Sequence, residues 1–198
     1  MRVAMFGGSF NPVHSGHVRL AEVFVQRLGL AKIIIVPAFV SPFKQSDHTV
    51  TPQQRLEMCR LAFEHMPQAE VSDVEMKREG TSYTYMTLEQ LAQDYPADEL
   101  FLITGADMFL SIHTWKNSQT IFRLATICGL PRNDDDVAAL QKQADHLQTL
   151  GARTVILDAG VMTVSSTQIR SYLRSGKNIA ALVPPQVEQY IKQHKLYK

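Results

Sequence analysis

The sequence predicts an α/β protein with one open parallel sheet that is covered by helices on both faces. Short apolar segments typical of buried strands alternate with longer segments of helical periodicity. This alternation continues through all 198 residues without an internal repeat. Because no linker in the sequence is long enough to divide the chain, a single domain over residues 1–198 is expected.

The predicted strands are short apolar runs, and they are separated by turn residues or by helical segments. They lie at residues 2–6, 32–36, 99–104, 126–130 and 153–157, with a further candidate at residues 69–74. In an open parallel sheet, ligands bind beyond the carboxyl ends of the strands. A functional site is therefore expected in the segments that follow these runs.

Capping residues predict where two of the helices begin. Thr51 is a suitable N-cap and Pro52 suits the first position of a helix that should end before Pro67. The three aspartates at residues 134–136 predict a solvated turn before a polar helix at residues 137–150.

The composition excludes several classes of protein. Hydrophobic residues make up 45% of the chain, charged residues 20%, and the formal net charge is +1, which gives no positive field for nucleic acid. Cys59 and Cys128 lie in apolar segments and are expected as buried free thiols, as in a reducing cytoplasm. The sequence shows neither a signal peptide nor a long apolar run, so export and a membrane partner are not expected.

A glycine-rich segment follows the first predicted strand and reads Gly-Gly-Ser-Phe-Asn-Pro-Val-His-Ser-Gly-His at residues 7–17. Adjacent glycines permit a sharp turn and let backbone N–H groups approach an anion. The apolar residues 18–28 predict a helix whose N-terminus faces this turn. His14 and His17 lie three positions apart at that helix start, so both imidazoles can donate to one phosphoryl oxygen.

The spacing excludes two common phosphate-binding motifs. A dinucleotide fingerprint has glycines at its first, third and sixth positions, which residues 7–12 lack. A P-loop ends in Gly-Lys-Ser/Thr, whereas the first lysine of this chain is Lys32. No cysteine lies near the two histidines in sequence, so a structural zinc site is not indicated.

A second candidate anion site is the segment Val-Ser-Ser-Thr-Gln-Ile-Arg at residues 164–170. Its first serine and its glutamine have the spacing of a capping box, which predicts a helix that begins at Ser166. The helix start offers N–H groups, Ser166 and Thr167 add hydroxyls, and Arg170 adds a forked cation about one turn later. The alternative is an ordinary helix cap followed by a surface arginine.

Both segments resemble signatures of one superfamily. The run at residues 7–17 resembles the His-x-Gly-His signature of the nucleotidyltransferases and, more narrowly, that of the bacterial nicotinate-mononucleotide adenylyltransferases. The run at residues 164–170 is similar to their Ile-Ser-Ser-Thr-x-Ile-Arg signature, with Val164 in place of Ile. The resemblance extends from Arg2 to about Tyr197 and implies a Rossmann-like nucleotidyltransferase fold.

This resemblance implies adenylyl transfer from ATP to nicotinate mononucleotide, with release of pyrophosphate and no covalent intermediate. In-line positioning and charge stabilisation would then be the tasks of the protein, and Mg²⁺ would be held mainly by the phosphates rather than by protein ligands. The implied catalytic donors are His14, His17, Lys44 and Arg170. The implied ATP contacts are Gly7, Gly8, Ser9, Phe10, Gly16, Arg132, Ser165, Ser166 and Thr167.

Two further segments resemble the family's acceptor site. Residues 82–88 are similar to its Ser-Tyr-Thr-x-x-Thr-Leu segment. The family also has a Gly-x-Asp motif paired with a Trp, which Gly105-Ala106-Asp107 and Trp115 resemble. An indole can stack on a pyridine ring, while backbone N–H groups at Tyr83 and Thr84 can bind its carboxylate. By resemblance Asp107 contacts a ribose hydroxyl. From the residues alone, Asp107 could instead be a helix N-cap and Trp115 a core aromatic. The implied acceptor residues are Ser82, Tyr83, Thr84, Gly105, Asp107 and Trp115.

Two residues depart from the family pattern. Asn11 stands where bacterial members commonly have Asp, and Phe43 stands where many have a His that contacts substrate phosphate. Lys44 is then expected to carry more of that contact. The open alternatives are an amide mononucleotide, another phosphorylated acceptor such as phosphopantetheine, whose family usually has Thr at position 14, and a non-catalytic nucleotide sensor. The sequence is compatible with a homo-oligomer and does not fix its size.

Overall fold

A computed structural model describes residues 1–43, 50–131, 134–157 and 164–197. Within these ranges six parallel strands form one sheet, which confirms the predicted α/β class. In chain order, β1 to β6 are Arg2–Gly8, Lys32–Pro37, Ala69–Val71, Glu99–Gly105, Ala125–Leu130 and Arg153–Ile156. Their order across the sheet is β3-β2-β1-β4-β5-β6, so β1 and β4 lie at the centre.

Helices connect the strands on both sides of the sheet. In chain order, α1 to α9 are Ser15–Leu28, Pro52–Phe63, Val74–Arg78, Thr84–Asp94, Ala106–Ser111, Ser118–Leu124, Asp134–Thr149, Ser166–Arg174 and Pro185–Gln193. A single 3₁₀ turn, Ile112–Thr114, follows α5. No helix in the described ranges has the length and apolar character needed to cross a bilayer.

Alternating side chains of the central strand reach two separate apolar cores. Ala4 and Phe6 pack with residues of α1, α2, α8 and α9, whereas Val3 and Met5 pack with residues of α4, α5, α6 and α7. Burial on both faces is the reason why the strands read as continuous apolar runs in the sequence.

The two cysteines are buried free thiols, as predicted. Cys59 lies in α2 and Cys128 lies in β5. Burial raises the pKa of the Cys128 thiol to about 12 and that of Cys59 further still, so both remain protonated at neutral pH.

The sheet register brings the carboxyl ends of neighbouring strands together. Gly8 at the end of β1 lies opposite Pro37 of β2, and Gly105 at the end of β4 lies opposite Leu130 of β5. Because β1 and β4 are also paired in register, the segments after β1, β2, β4 and β5 share one rim of the sheet. This is the rim at which the sequence predicts a site.

The predicted start of α2 is confirmed, whereas the predicted start of α7 is wrong. Helix α2 has the predicted N-cap: the Thr51 hydroxyl accepts from the Gln54 backbone N–H at 3.2 Å, and the Gln54 side-chain oxygen Oε1 accepts from the Thr51 N–H at 2.9 Å. Helix α7, however, begins at Asp134, so the three aspartates belong to its first turn rather than to a preceding turn. Negative charge is favourable at a helix N-terminus, which explains the difference.

The strand candidate at residues 69–74 is also shorter than predicted. It ends at Val71, and Asp73 is the N-cap of the short helix α3 that begins at Val74.

Candidate active site

The glycine-rich segment has a different backbone from the one predicted. Gly7 and Gly8 do not form the turn, because they continue β1 in extended conformation, and the first left-handed residue is Phe10, at φ 44°. Packing favours glycine at position 8, since an added Cβ would lie 3.1 Å from the Phe10 ring, closer than most Cβ contacts. Phe10 is 2% exposed and its ring packs on Phe6 and His17, so the ring is not accessible to a nucleotide.

His14 and His17 lie together at the start of α1, as predicted. His14 is the N-cap, and its backbone N–H donates to His17 Nδ1 at 3.2 Å. Because Nδ1 of His17 is an acceptor, the proton of its neutral ring lies on Nε2. The two rings stack with centroids 3.6 Å apart.

Burial changes the chemistry of His14. Its side chain is 6% exposed, and desolvation lowers its pKa to about 4, so the ring is neutral at pH 7. Its Nδ1 atom is buried and has no hydrogen-bond partner in the part of the chain that the structure describes. A neutral imidazole can still donate one hydrogen bond to an anion.

The second anion segment packs directly on the first. The guanidinium of Arg170 donates from Nη1 to the carbonyl of Asn11 at 2.7 Å, and from Nη2 to the Thr167 hydroxyl at 3.3 Å. The Ser166 hydroxyl donates to the carbonyl of Pro12 at 2.9 Å. Two segments more than 150 residues apart in sequence therefore form one polar surface.

Helix α8 begins at Ser166, as predicted, with Ser165 as its N-cap. The Ser165 hydroxyl accepts from the Gln168 N–H at 3.1 Å, whereas the Gln168 side chain donates to the Tyr172 hydroxyl at 3.4 Å. Of the two bonds of the predicted capping box, the described structure shows the first.

Arg55 is a residue of this site that sequence reasoning missed. It lies on the buried face of α2 with 7% exposure, and it donates to the carbonyl of Ser9 at 2.8 Å and to that of Phe39 at 3.1 Å. The Ser82 hydroxyl, also buried, accepts from the Phe39 N–H at 2.9 Å. These bonds connect the loops after β1 and β2 to the acceptor segment. An arginine among the apolar residues of α2 was the only available signal.

Tyr197 is a second residue that the sequence assigned no role. Its hydroxyl donates to Asn11 Oδ1 at 2.6 Å, so the penultimate residue of the chain contacts the loop after β1. The side chain that departs from the family pattern at position 11 thus has a structural function in the turn.

The predicted acceptor residues Tyr83, Thr84 and Trp115 line one cavity together with Phe43 and Lys116. The Phe43 and Trp115 rings lie 5.0 Å apart between centroids, at 40° to one another. Lys116 Nζ lies 4.3 Å from the centre of the Tyr83 ring. The cavity therefore offers aromatic surfaces and a positive charge to a flat, anionic ligand.

The backbone donors at this cavity are not equivalent. Thr84 is the first residue of α4, so its N–H lies in the turn that lacks intrahelical acceptors. The Tyr83 N–H, in contrast, donates to the carbonyl of Thr81 at 3.1 Å. Asp107 is exposed in the first turn of α5, and Gly105 is the N-cap, so Asp107 does not cap this helix.

Two predicted residues, Lys44 and Arg132, lie outside the described residues. Gly16 is buried in the first turn of α1. Among the described side chains, no three or more His, Cys, Asp or Glu are grouped so that they could hold a metal ion.

Comparison with known sequences agrees with this arrangement. The family model described as "Cytidylyltransferase-like" matches residues 5–172. A Geotalea daltonii protein named "Probable nicotinate-nucleotide adenylyltransferase" is 39% identical over 212 residues, which cover 100% of this chain and 98% of that protein. A Clostridium tetani protein of the same name is 34% identical over 196 residues and 98% of each chain.

Solved structures show the same fold. The Plasmodium falciparum nicotinic acid mononucleotide adenylyltransferase complexed with NaAD matches with a TM-score of 0.81 and 16% identity, over 99% of this chain and 97% of that one. The same enzyme complexed with APC matches with a TM-score of 0.76 and 16% identity, over 99% and 96%.

Proposed function

The chain belongs to the cytidylyltransferase-like family, among the nicotinate-nucleotide adenylyltransferases, and from this membership we propose that it transfers the adenylyl group of ATP to nicotinate mononucleotide. The products are nicotinate adenine dinucleotide and pyrophosphate, in NAD biosynthesis. Because both cysteines are buried free thiols, we place the enzyme in the cytoplasm.

One observation carries the ATP part of this proposal: Arg170 of the second segment bonds to Asn11 of the first at 2.7 Å. This contact joins the forked cation of α8 to the loop that leads into the two histidines of α1. The two contacting segments together carry positive charge, imidazole N–H groups and two helix N-termini, which is the kind of donor set that a polyphosphate requires.

The chemistry needs no protein nucleophile. A phosphate oxygen of the mononucleotide attacks the α-phosphorus of ATP, a new P–O bond forms, and the bond to the leaving pyrophosphate breaks in line. The protein positions the two phosphates and stabilises the charge that develops on the equatorial and leaving oxygens. We assign this stabilisation to His14, His17 and Arg170, with Lys44 as a further donor.

The acceptor ring is assigned to the aromatic cavity. Trp115 stacks on the pyridine ring, and the Thr84 N–H at the start of α4 binds its carboxylate. Asp107, which is exposed in the first turn of α5 after β4, accepts from a ribose hydroxyl.

Magnesium is proposed to enter with ATP. The donors at the candidate site are mostly imidazole, guanidinium, hydroxyl and backbone N–H groups, whereas Mg²⁺ prefers oxygen anions and water. Phosphate oxygens of the substrates therefore fit the metal better than these side chains do, and bound Mg²⁺ neutralises charge on them.

The decisive experiment measures pyrophosphate release from ATP with nicotinate mononucleotide, nicotinamide mononucleotide and phosphopantetheine as alternative acceptors. Release with nicotinate mononucleotide at the highest kcat/KM supports the proposal. Faster release with another acceptor changes the substrate assignment. Binding of ATP without release in any mixture identifies a nucleotide sensor instead.

A further inference from the structure

The last residues after α9 have a fixed and unusual backbone. Lys195 and Tyr197 both have positive φ angles, 53° and 64°, in the left-handed region that residues other than glycine rarely adopt. Leu196 and Tyr197 are nevertheless buried, at 6% and 2% exposure. A strained conformation persists only where surrounding contacts impose it, so the end of the chain is held in place by packing.

The polar end of Tyr197 reaches the loop after β1. Its hydroxyl donates to Asn11 Oδ1 at 2.6 Å, a contact between residues that are 186 positions apart. The backbone carbonyl of the same asparagine accepts from Arg170. Asn11 is therefore held through its side chain by the chain end and through its backbone by a proposed catalytic donor.

The neighbouring carbonyls of this loop are held in the same manner. Arg55 donates to the carbonyl of Ser9, and Ser166 donates to that of Pro12. In a trans peptide unit the C=O and the next N–H point in opposite directions. Side chains that donate to these carbonyls thus fix the direction in which the N–H groups of Phe10 and Val13 point.

We propose that Tyr197 is a positioning residue for adenylyl transfer. Through Asn11 it holds residues 9–12 in the conformation that binds the phosphates, without touching substrate itself. This inference rests on the proposed function for its kinetic consequence, whereas the effect on the loop can be measured without any reaction.

The kinetic experiment uses Tyr197→Phe, which removes the hydroxyl and keeps the buried ring. Because the bond orients groups that act in the transition state, kcat should fall by about threefold to tenfold, with both KM values within about twofold of wild type. Asn11→Ala should have a similar effect, and the double variant should lose little more, since both changes remove one bond. Asn11→Asp keeps an oxygen acceptor and should lose less than Asn11→Ala.

Tyr190→Phe is the matched control. Tyr190 lies in α9, and its ring stacks on His194 with centroids 4.0 Å apart, so its hydroxyl can be removed from the same end of the chain without changing the loop. Its kcat should equal that of the wild type. A wild-type kcat for Tyr197→Phe, or equal losses for the two tyrosine variants, would overturn the proposal.

Amide hydrogen exchange separates this inference from the proposed function. Tyr197→Phe should accelerate exchange at residues 9–13 and leave the amides of β1 and β4 unchanged. If the loop loosens in this way but the wild type shows no adenylyl transfer, the proposed reaction is wrong and the positioning contact stands. Faster exchange throughout the sheet would show a general structural role and contradict the inference.

Discussion

The imidazole rings of His14 and His17 stack with centroids 3.6 Å apart and planes 25° from parallel. The two rings have different surroundings: His14 is buried and neutral, whereas His17 Nδ1 is fixed by the His14 backbone N–H. Two positive charges at this distance would repel each other, so the neutral state of His14 allows the two rings to stack closely. The two histidines are therefore not equivalent as donors to an anion.

His17→Ala should lower kcat by on the order of a hundredfold or more, because a hydrogen bond to the developing phosphoryl charge is lost. Thermal unfolding should remain close to wild type. His65→Ala is the control, since the His65 side chain is 83% exposed and lies outside the site. Rates of pyrophosphate release test this prediction, and near-normal turnover by a folded His17→Ala variant would remove His17 from the mechanism.

His14 should make stability depend on pH. Its folded pKa of about 4 lies below the ordinary value of 6.5, so between these values the unfolded chain binds more protons. The contribution of His14 to the free energy of unfolding is fully present above pH 6.5. It falls as the pH decreases toward 4, by about 3 kcal/mol in total.

Urea unfolding of wild type and His14→Gln between pH 7 and pH 4 measures this effect. The wild type should lose more stability than the variant over that range. Parallel pH profiles for the two proteins would show that His14 is not the group responsible.

Arg170→Lys should raise the KM for ATP by about tenfold or more and leave the KM for the acceptor within about twofold, because lysine keeps the charge and loses the fork. In the structure that fork reaches both Asn11 and Thr167. Arg60→Lys in α2 serves as the control and should change neither value, because the half-exposed Arg60 pairs with Glu57 at 3.3 Å on the surface. Equal losses for both substrates in Arg170→Lys would indicate that the arginine only supports the fold.

The acid mononucleotide should be preferred to the amide by at least about tenfold in kcat/KM. A carboxamide NH₂ that faces the Thr84 N–H leaves a buried polar contact unmatched, which costs about 1–3 kcal/mol. Trp115→Ala should reduce kcat/KM for both acceptors and preserve their ratio, since stacking does not distinguish acid from amide.

Steady-state rates with both mononucleotides measure this ratio. Preference of the wild type for the amide would overturn the substrate assignment. A ratio near one in Trp115→Ala would mean that the indole orients the ring for discrimination.

The sequence predicted those features that local patterns encode. Alternation of strands and helices gave the parallel sheet, and the caps at Thr51 and Ser165 located two helix starts. Arg55 and Tyr197 were not predicted, because a bond between residues far apart leaves no periodic signal in a single sequence. The turn at Phe10 was assigned to the glycines because glycine is the usual left-handed residue, whereas here glycine makes room for a ring.

The central place of β1 has a consequence for the synthesis of the chain. Of the six strands, β1 leaves the ribosome before the others, and it pairs with β2 soon afterwards. Its other edge must wait for β4, which begins at Glu99. At translation rates of about 5–20 residues per second, the wait is roughly 5–20 s, during which a buried apolar strand presents an open edge. Nascent chains that stall before Glu99 are thus the ones most exposed to aggregation.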